Sequence, residues 1–160
     1  MIYWIWQGTK MTEQKNGMNR EISADGTYNL LVRVYYEDTD AGGIVYYANY
    51  LKFAERARTE YLRALGLEQN TDLAADQKIG FAVRHCEIDY RKPAVLDDLL
   101  NVSCKISELG GASCTMHQEI SRADGLLLVC MEVKVVCMNL SKMRPVRLPE
   151  NLTQKIEKYI

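Results

Sequence analysis

The chain has 160 residues, enough for one domain that buries a sizeable core without cross-links. Hydrophobic residues make up 48% and charged residues 26%, which argues against a disordered chain. A net charge of −1 supplies no global basic field for nucleic acid or anionic lipid, so any polyanion must be held by a local cluster.

The five cysteines are Cys86, Cys104, Cys114, Cys130 and Cys137, an odd number with no CxxC spacing. They read as small apolar residues in a reducing compartment, which points to the cytoplasm. With His85 and His117 as the only histidines, no metal site is expected. Met1–Trp6 reads MIYWIW, too short for a signal-peptide core and without a basic segment before it. No stretch is long enough to span a membrane. Residues 1–25 are expected to be a poorly ordered extension, and residues 26–160 to form one domain.

In chain order, aromatic and β-branched residues predict a first strand from about Tyr28 to Tyr36. The run Glu37-Asp38-Thr39-Asp40-Ala41-Gly42-Gly43 breaks it. A helix follows from about Asn49 to Leu65. Its apolar stripe is Tyr50, Ala54, Ala57, Tyr61 and Leu65, widened by Leu51 and Leu62. Asn49 is placed to cap its start and Gly66 its end. A weaker helical turn is expected over Asp72–Asp76.

The pattern then changes to period two. Phe81, Val83 and His85 alternate before the phase shifts to Cys86, Ile88 and Tyr90, which predicts a bulge. Leu100 to Ile106 and Cys114 to Ile120 mark two more strands. Asp124-Gly125 marks a hairpin, and Leu127 to Val135 the last long strand. A short helix is expected over Asn151–Tyr159. Tight turns suggest that the last four strands form a meander. One long amphipathic helix wrapped by one curved antiparallel sheet is an α+β arrangement, the hotdog architecture. Its exposed sheet edge favours dimerisation.

The chemistry is concentrated in Tyr35–Arg58, YYEDTDAGGIVYYANYLKFAERAR. Asp38 and Asp40 sit in a Gly-rich loop just before a helix N-terminus, where free N–H groups and the helix dipole favour negative charge. A developing oxyanion could be stabilised there, and a nearby carboxylate could serve as general base or nucleophile. The same aspartates could equally be turn and cap residues. Glu55, on the helix side that carries Leu51, Arg58 and Leu62, is a second candidate carboxylate, or a residue that Arg58 or Thr59 merely satisfies.

This segment resembles the signature of the 4-hydroxybenzoyl-CoA thioesterase family. It is most similar to the Tol-Pal-associated acyl-CoA thioesterase branch, through the run DTDAGG-V-Y--NYL-F-ERAR-E-L. A looser resemblance runs from Val32 to Pro149 and takes in FAVR at Phe81–Arg84 and KMRP at Lys142–Pro145. The resemblance implies an enzyme that hydrolyses acyl-CoA, with CoA as part of the substrate and no cofactor. It implies Asp40 as catalytic carboxylate and the Tyr47 backbone N–H as the group that polarises the thioester carbonyl. Asp38 then shapes the loop. The branch commonly has His where this chain has Tyr47, a departure that keeps a backbone donor but would lose a proton-shuttling imidazole. It also implies a homodimer or homotetramer, with envelope-system or acyl-carrier partners.

For the CoA phosphates the sequence offers two basic groups, Arg91 with Lys92, and Lys142 with Arg144 and Arg147. Ser113, after Gly110-Gly111, is a further candidate. His85 and His117 read as ordinary strand residues. Two other functions are compatible with the pattern: a non-catalytic acyl-binding or envelope scaffold protein, and a hydroxyacyl-thioester dehydratase. The second generally wants a His base, and the Asp40 loop has none.

Overall fold

In the computed structural model, which describes residues 21–67 and 79–160, β1 (Tyr28–Arg33) opens the fold. A 3₁₀ turn over Tyr36–Asp38 and the Asp40 loop lead into α1 (Asn49–Ala64). Then come β2 (Ile79–Tyr90), β3 (Leu99–Leu109), β4 (Ser113–Arg122), β5 (Leu127–Asn139), β6 (Arg144–Pro145) and α2 (Glu150–Ile156). MIYWIW and the turn expected over Asp72–Asp76 lie outside the described residues. No helix among the described residues is long and apolar enough to cross a membrane.

The helix forms where its periodicity predicts. Tyr50, Ala54, Ala57, Tyr61 and Leu65 are all buried, with Phe53 and Leu62 beside them. Leu51 is exposed and does not widen the stripe. The end is closed by Gly66 at φ +81°, whose N–H donates to Arg63 O while Leu67 N–H reaches back to Leu62 O. That pair of bonds is a Schellman cap, and a left-handed residue there favours glycine.

The strands form one antiparallel sheet in the order β1-β3-β4-β5-β2, with β6 paired to the end of β5. This corrects the expected meander. β3, β4 and β5 are hairpin neighbours, but β2 crosses to the far side of β5 and β1 occupies the place next to β3. The reason is the connection between β2 and β3, which runs over Arg91–Asp98 and is too long for a tight hairpin. The hairpin expected at Asp124-Gly125 is present, with Gly125 at φ +88° and the Asp124 carboxylate accepting from Leu126 N–H.

α1 lies across β1, β3 and β4, giving the hotdog arrangement of a helix held by a curved sheet. Leu100, Val102, Cys104 and Ile106 of β3 are buried, as are Cys114, Met116, Gln118 and Ile120 of β4. Gln118 is fully buried yet satisfied, accepting from Arg58 Nη1 at 2.8 Å and donating to Ala54 O at 3.0 Å. An unpaired buried amide would cost about 1–3 kcal/mol.

β2 is different. It is an edge strand, and Ala82 to Glu87 are exposed. Its register against β5 shifts between Val83 and His85, as the phase change in the sequence predicts. The bulge keeps the apolar set on the helix side: Phe81 and Val83 before it, Tyr90 after it against the rings of Tyr47 and Tyr50.

Candidate active site

The Asp38–Asn49 segment is built by its own hydrogen bonds. The Asp38 carboxylate is buried and accepts from Tyr35 N–H at 2.9 Å. Its carbonyl accepts from Tyr46 N–H and from Asn49 Nδ2, each at 2.9 Å. Asp38 therefore ties the strand exit to the start of α1. This also corrects the role expected for Asn49. It is the first helical residue rather than the cap, and its amide straps the helix to the loop.

Asp40 does the opposite and faces out. Its N–H donates to Ile44 O and its carbonyl accepts from Gly43 N–H, closing a turn with Gly43 at φ +77°. One carboxylate oxygen accepts from Gly42 N–H at 2.8 Å, and the other makes no hydrogen bond among the described residues. A Cβ on Gly42 would stand 3.0 Å from that Oδ1, so glycine permits the contact. The returning chain pairs Thr39 with Val45 and Ile44 with Val95, while Val45 N–H donates to Ala94 O. Ala94 N–H in turn donates to the buried Tyr50 hydroxyl at 2.8 Å. Burial pushes the Tyr50 phenol pKa up, so it stays neutral at this anchor.

The start of α1 carries no side-chain cap. Ala48 holds the cap position, and the first turn has no acidic residue. The N–H groups of Tyr47 and Ala48 donate to no protein acceptor among the described residues. An uncapped helix start beside an outward carboxylate can do two things at once: bind an anionic oxygen and accept a proton. Around it stand Tyr46 and Tyr47, ring centroids 4.7 Å apart, with the Tyr90 hydroxyl donating to Tyr47 O. The Tyr46 phenol is raised by its hydrogen bond with the Tyr47 phenol.

Glu55 lies elsewhere. It is eight residues beyond Tyr47 along α1, about 12 Å at ~1.5 Å per residue. It accepts from Thr59 Oγ1 at 2.8 Å. With Arg58 and Leu62 it walls a groove of about 390 Å³, closed on the other side by Phe81 and Val83 and floored by Met116. Arg58 is half-buried there. Burial lowers its pKa, opposed by nearby Cys104, Glu55 and Cys86. No residue of the Asp40 loop lines this groove.

The phosphate candidates fall at opposite ends of the sheet. Arg91 and Lys92 both donate their backbone N–H to Leu128 O at the start of β5, close to Ala94 and hence to the Asp40 loop. Arg91 is paired with Asp89 at 2.8 Å. Arg144 pairs in register with Asn139 at the far end of β5, and Lys142 N–H donates to Asn139 Oδ1. Leu128 and Asn139 are eleven strand residues apart, about 36 Å at ~3.3 Å per residue. Leu148 N–H donates to Gly111 O, so Ser113 shares that far end with Lys142, Arg144 and Arg147. The three basic side chains form no ion pair among the described residues. One chain thus brings Ser113 to the late basic cluster and Arg91–Lys92 to Asp40, but does not bring the two groups together.

Comparison with known proteins decides the family, because the thioesterase-like superfamily profile matches residues 34–156. The chain belongs to the thioesterase-like superfamily. It is 49% identical over 128 residues to the acyl-CoA thioesterase YbgC of Haemophilus influenzae, covering 80% of this chain and 93% of that protein. A Bartonella henselae protein whose crystal structure is described as that of a probable thioesterase is 38% identical, with a TM-score of 0.73 over 77% of this chain and 99% of that one. The 1,4-dihydroxy-2-naphthoyl-CoA thioesterase of Synechocystis superposes with a TM-score of 0.74 at 26% identity, over 82% and 96%. The superfamily match takes in the whole Asp40 loop and α1 of this thioesterase-like chain.

Proposed function

We propose that this thioester hydrolase cleaves acyl-CoA to a free carboxylic acid and CoA, with Asp40 and the start of α1 as its catalytic centre. The observation that carries the reading is the outward Asp40 carboxylate tethered, through Asp38 and Asn49, to an uncapped helix N-terminus. The thioester oxygen would sit on the Tyr47 N–H. Asp40 would take the proton of an attacking water, or attack the acyl carbon itself. The electron pair moves onto the carbonyl oxygen, returns as the C–S bond breaks, and CoA leaves as the thiol once protonated; where Asp40 is the nucleophile, water then hydrolyses the acyl–Asp40 anhydride to release the acid and restore the carboxylate. A dehydratase is disfavoured: His85 and His117 both lie on strands, outside the Asp40 loop. Release of free thiol from a panel of acyl-CoAs tests the activity and would define chain length, and it also separates an enzyme from a non-catalytic acyl-binding protein.

The placement of the basic cluster supports a site completed across a subunit boundary. Pairing two copies through the exposed β2 edge by a two-fold axis is antiparallel, so the Ile79 end of one strand lies beside the Tyr90 end of the other. The partner subunit's Arg144 would then approach the end of the sheet where Asp40 stands, and the groove walled by Phe81 and Val83 would come near the same centre. This reading puts the acyl chain in or near the groove and the CoA phosphates on Lys142, Arg144 and Arg147, with Arg91, Lys92 and Ser113 as secondary candidates. Glu55 is a groove residue in it. The assembly is expected to sediment as a dimer or tetramer at micromolar concentration, and a stable, fully active monomer would overturn it.

Substituting the cluster gives a separable signature. Arg144→Ala is expected to raise KM for acyl-CoA and leave kcat within a few-fold, because a phosphate contact is made equally in ground and transition states. A truncated thioester lacking the nucleotide should be barely affected. Added salt should weaken acyl-CoA binding less in the variant than in the wild type. Equal losses on both substrates would assign Arg144 to the fold instead. We place the enzyme in the cytoplasm, on the ground that its five cysteines are all free. Association with Tol-Pal envelope machinery rests on the motif resemblance, and co-purification tests it.

A further inference from the structure

The outer face of the sheet, away from α1, carries a cluster that the thioesterase reading does not use. On β4, Met116 and Gln118 point inward and are buried, so His117 and Glu119 point outward. On β5, Met131 and Val133 are buried and Cys130 and Glu132 alternate with them. Register places His117 opposite Glu132 and Glu119 opposite Cys130. Four potential ligands therefore occupy a two-by-two grid on adjacent strands, where facing Cβ atoms are about 4.5–5.5 Å apart.

The donor atoms converge as well. One ligand atom from each of His117, Glu119 and Cys130 lies within 4.8 Å of the other two. The Nε2–Oε1 separation is 3.5 Å and the Sγ–Nε2 separation 4.0 Å. Ligands about 2.0–2.1 Å (N, O) and 2.3 Å (S) from a tetrahedral zinc ion stand roughly 3.3–3.6 Å apart. The Nε2–Oε1 pair already has that spacing, and closing the Sγ–Nε2 gap takes about half an ångström. The fourth residue supplies what such a histidine needs: Glu132 Oε1 is 2.6 Å from His117 Nδ1, which holds the proton there and leaves Nε2 free to ligate.

We propose that His117, Glu119 and Cys130 form a binding site for a thiophilic divalent transition-metal ion, zinc by ligand type, with Glu132 as the positioning carboxylate. Thiolate, imidazole and carboxylate together suit zinc, and three protein ligands leave a fourth position for water. Binding replaces the Cys130 S–H proton, which goes to solvent. The neighbouring groups permit it. Lys105 faces His117 from β3, and Arg91 lies near Cys130 and Glu119, but Asp89 holds the Arg91 guanidinium and adds a carboxylate of its own. The ion would pin β4 to β5 on the face opposite α1.

The full-length protein is titrated with Co²⁺ and then Zn²⁺. One Co²⁺ per chain is expected, with a thiolate-to-cobalt absorption band that Zn²⁺ removes, and Zn²⁺ is expected to raise the melting temperature. Cys130→Ser should abolish the band and the thermal shift. His117→Gln should weaken binding at least ten-fold. Glu132→Gln should keep the band but lower affinity by roughly 10–100-fold, the usual effect of losing such a partner. Cys86→Ser, which removes the exposed thiol elsewhere, should leave the band intact. Absence of the band in the wild type, or a band that survives Cys130→Ser, overturns the site.

Discussion

Replacing Asp40 by Asn is expected to lower kcat by about 10²–10⁴-fold, the usual contribution of a positioned acid or base. The fold should be kept. The structural bonds of the turn run through the Asp40 backbone, and an Asn side-chain oxygen can still accept from Gly42 N–H. What Asn cannot do is take a proton or form an acyl intermediate. Steady-state kinetics on the best acyl-CoA, with circular dichroism to confirm folding, decide the matter. Wild-type turnover in a folded Asp40→Asn protein would remove the proposed centre. Glu55→Gln is the companion variant: Glu55 sits about two helical turns from Tyr47 and is already engaged by Thr59, so a modest change is expected. A dead Glu55→Gln with an active Asp40→Asn would move the chemistry into the groove.

The second large effect concerns the oxyanion donor. Tyr47→Pro removes one N–H and is expected to cost about 10²–10³ in kcat, the range for losing a single oxyanion donor. Tyr47→Phe keeps that N–H and is expected to stay within a few-fold of wild type, since the phenol is not asked to donate. Proline also restrains the preceding residue, here Tyr46, whose N–H is bonded to Asp38 O. Ala48→Pro serves as the control for that kind of disturbance. It deletes the next N–H at a position whose φ of −72° proline accepts. If Ala48→Pro is inactive and Tyr47→Pro active, the donor is Ala48. If both retain wild-type kcat while folded, the helix start is not the oxyanion site.

Much of this was legible in one dimension, because local physics writes itself into spacing. The α1 stripe repeats at three and four residues because a helix turns at that period, and the glycine at its end marks a left-handed cap. The bulge in β2 shows as a change of phase in the apolar residues. The Asp40 loop is legible for a related reason: its turn, its glycines and the helix start all fall within one continuous segment.

Tertiary structure decided what depends on residues distant in sequence. Strand order is one case. Alternation tells which face a strand residue takes but not which strand lies beside it, so β2 read as a neighbour of β3 and is found against β5. The capping role expected of Asn49 failed because its amide reaches eleven residues back to Asp38 O, a bond that helix rules do not contain. Sequence proximity also could not tell that Arg144 and Asp40 stand at opposite ends of one sheet, since that separation is the length of β5. The His117–Cys130 grid was hidden for the same reason. On each strand the two residues are part of a longer run of polar residues at alternate positions, an ordinary exposed face, and only the register between β4 and β5 turns the two pairs into one cluster.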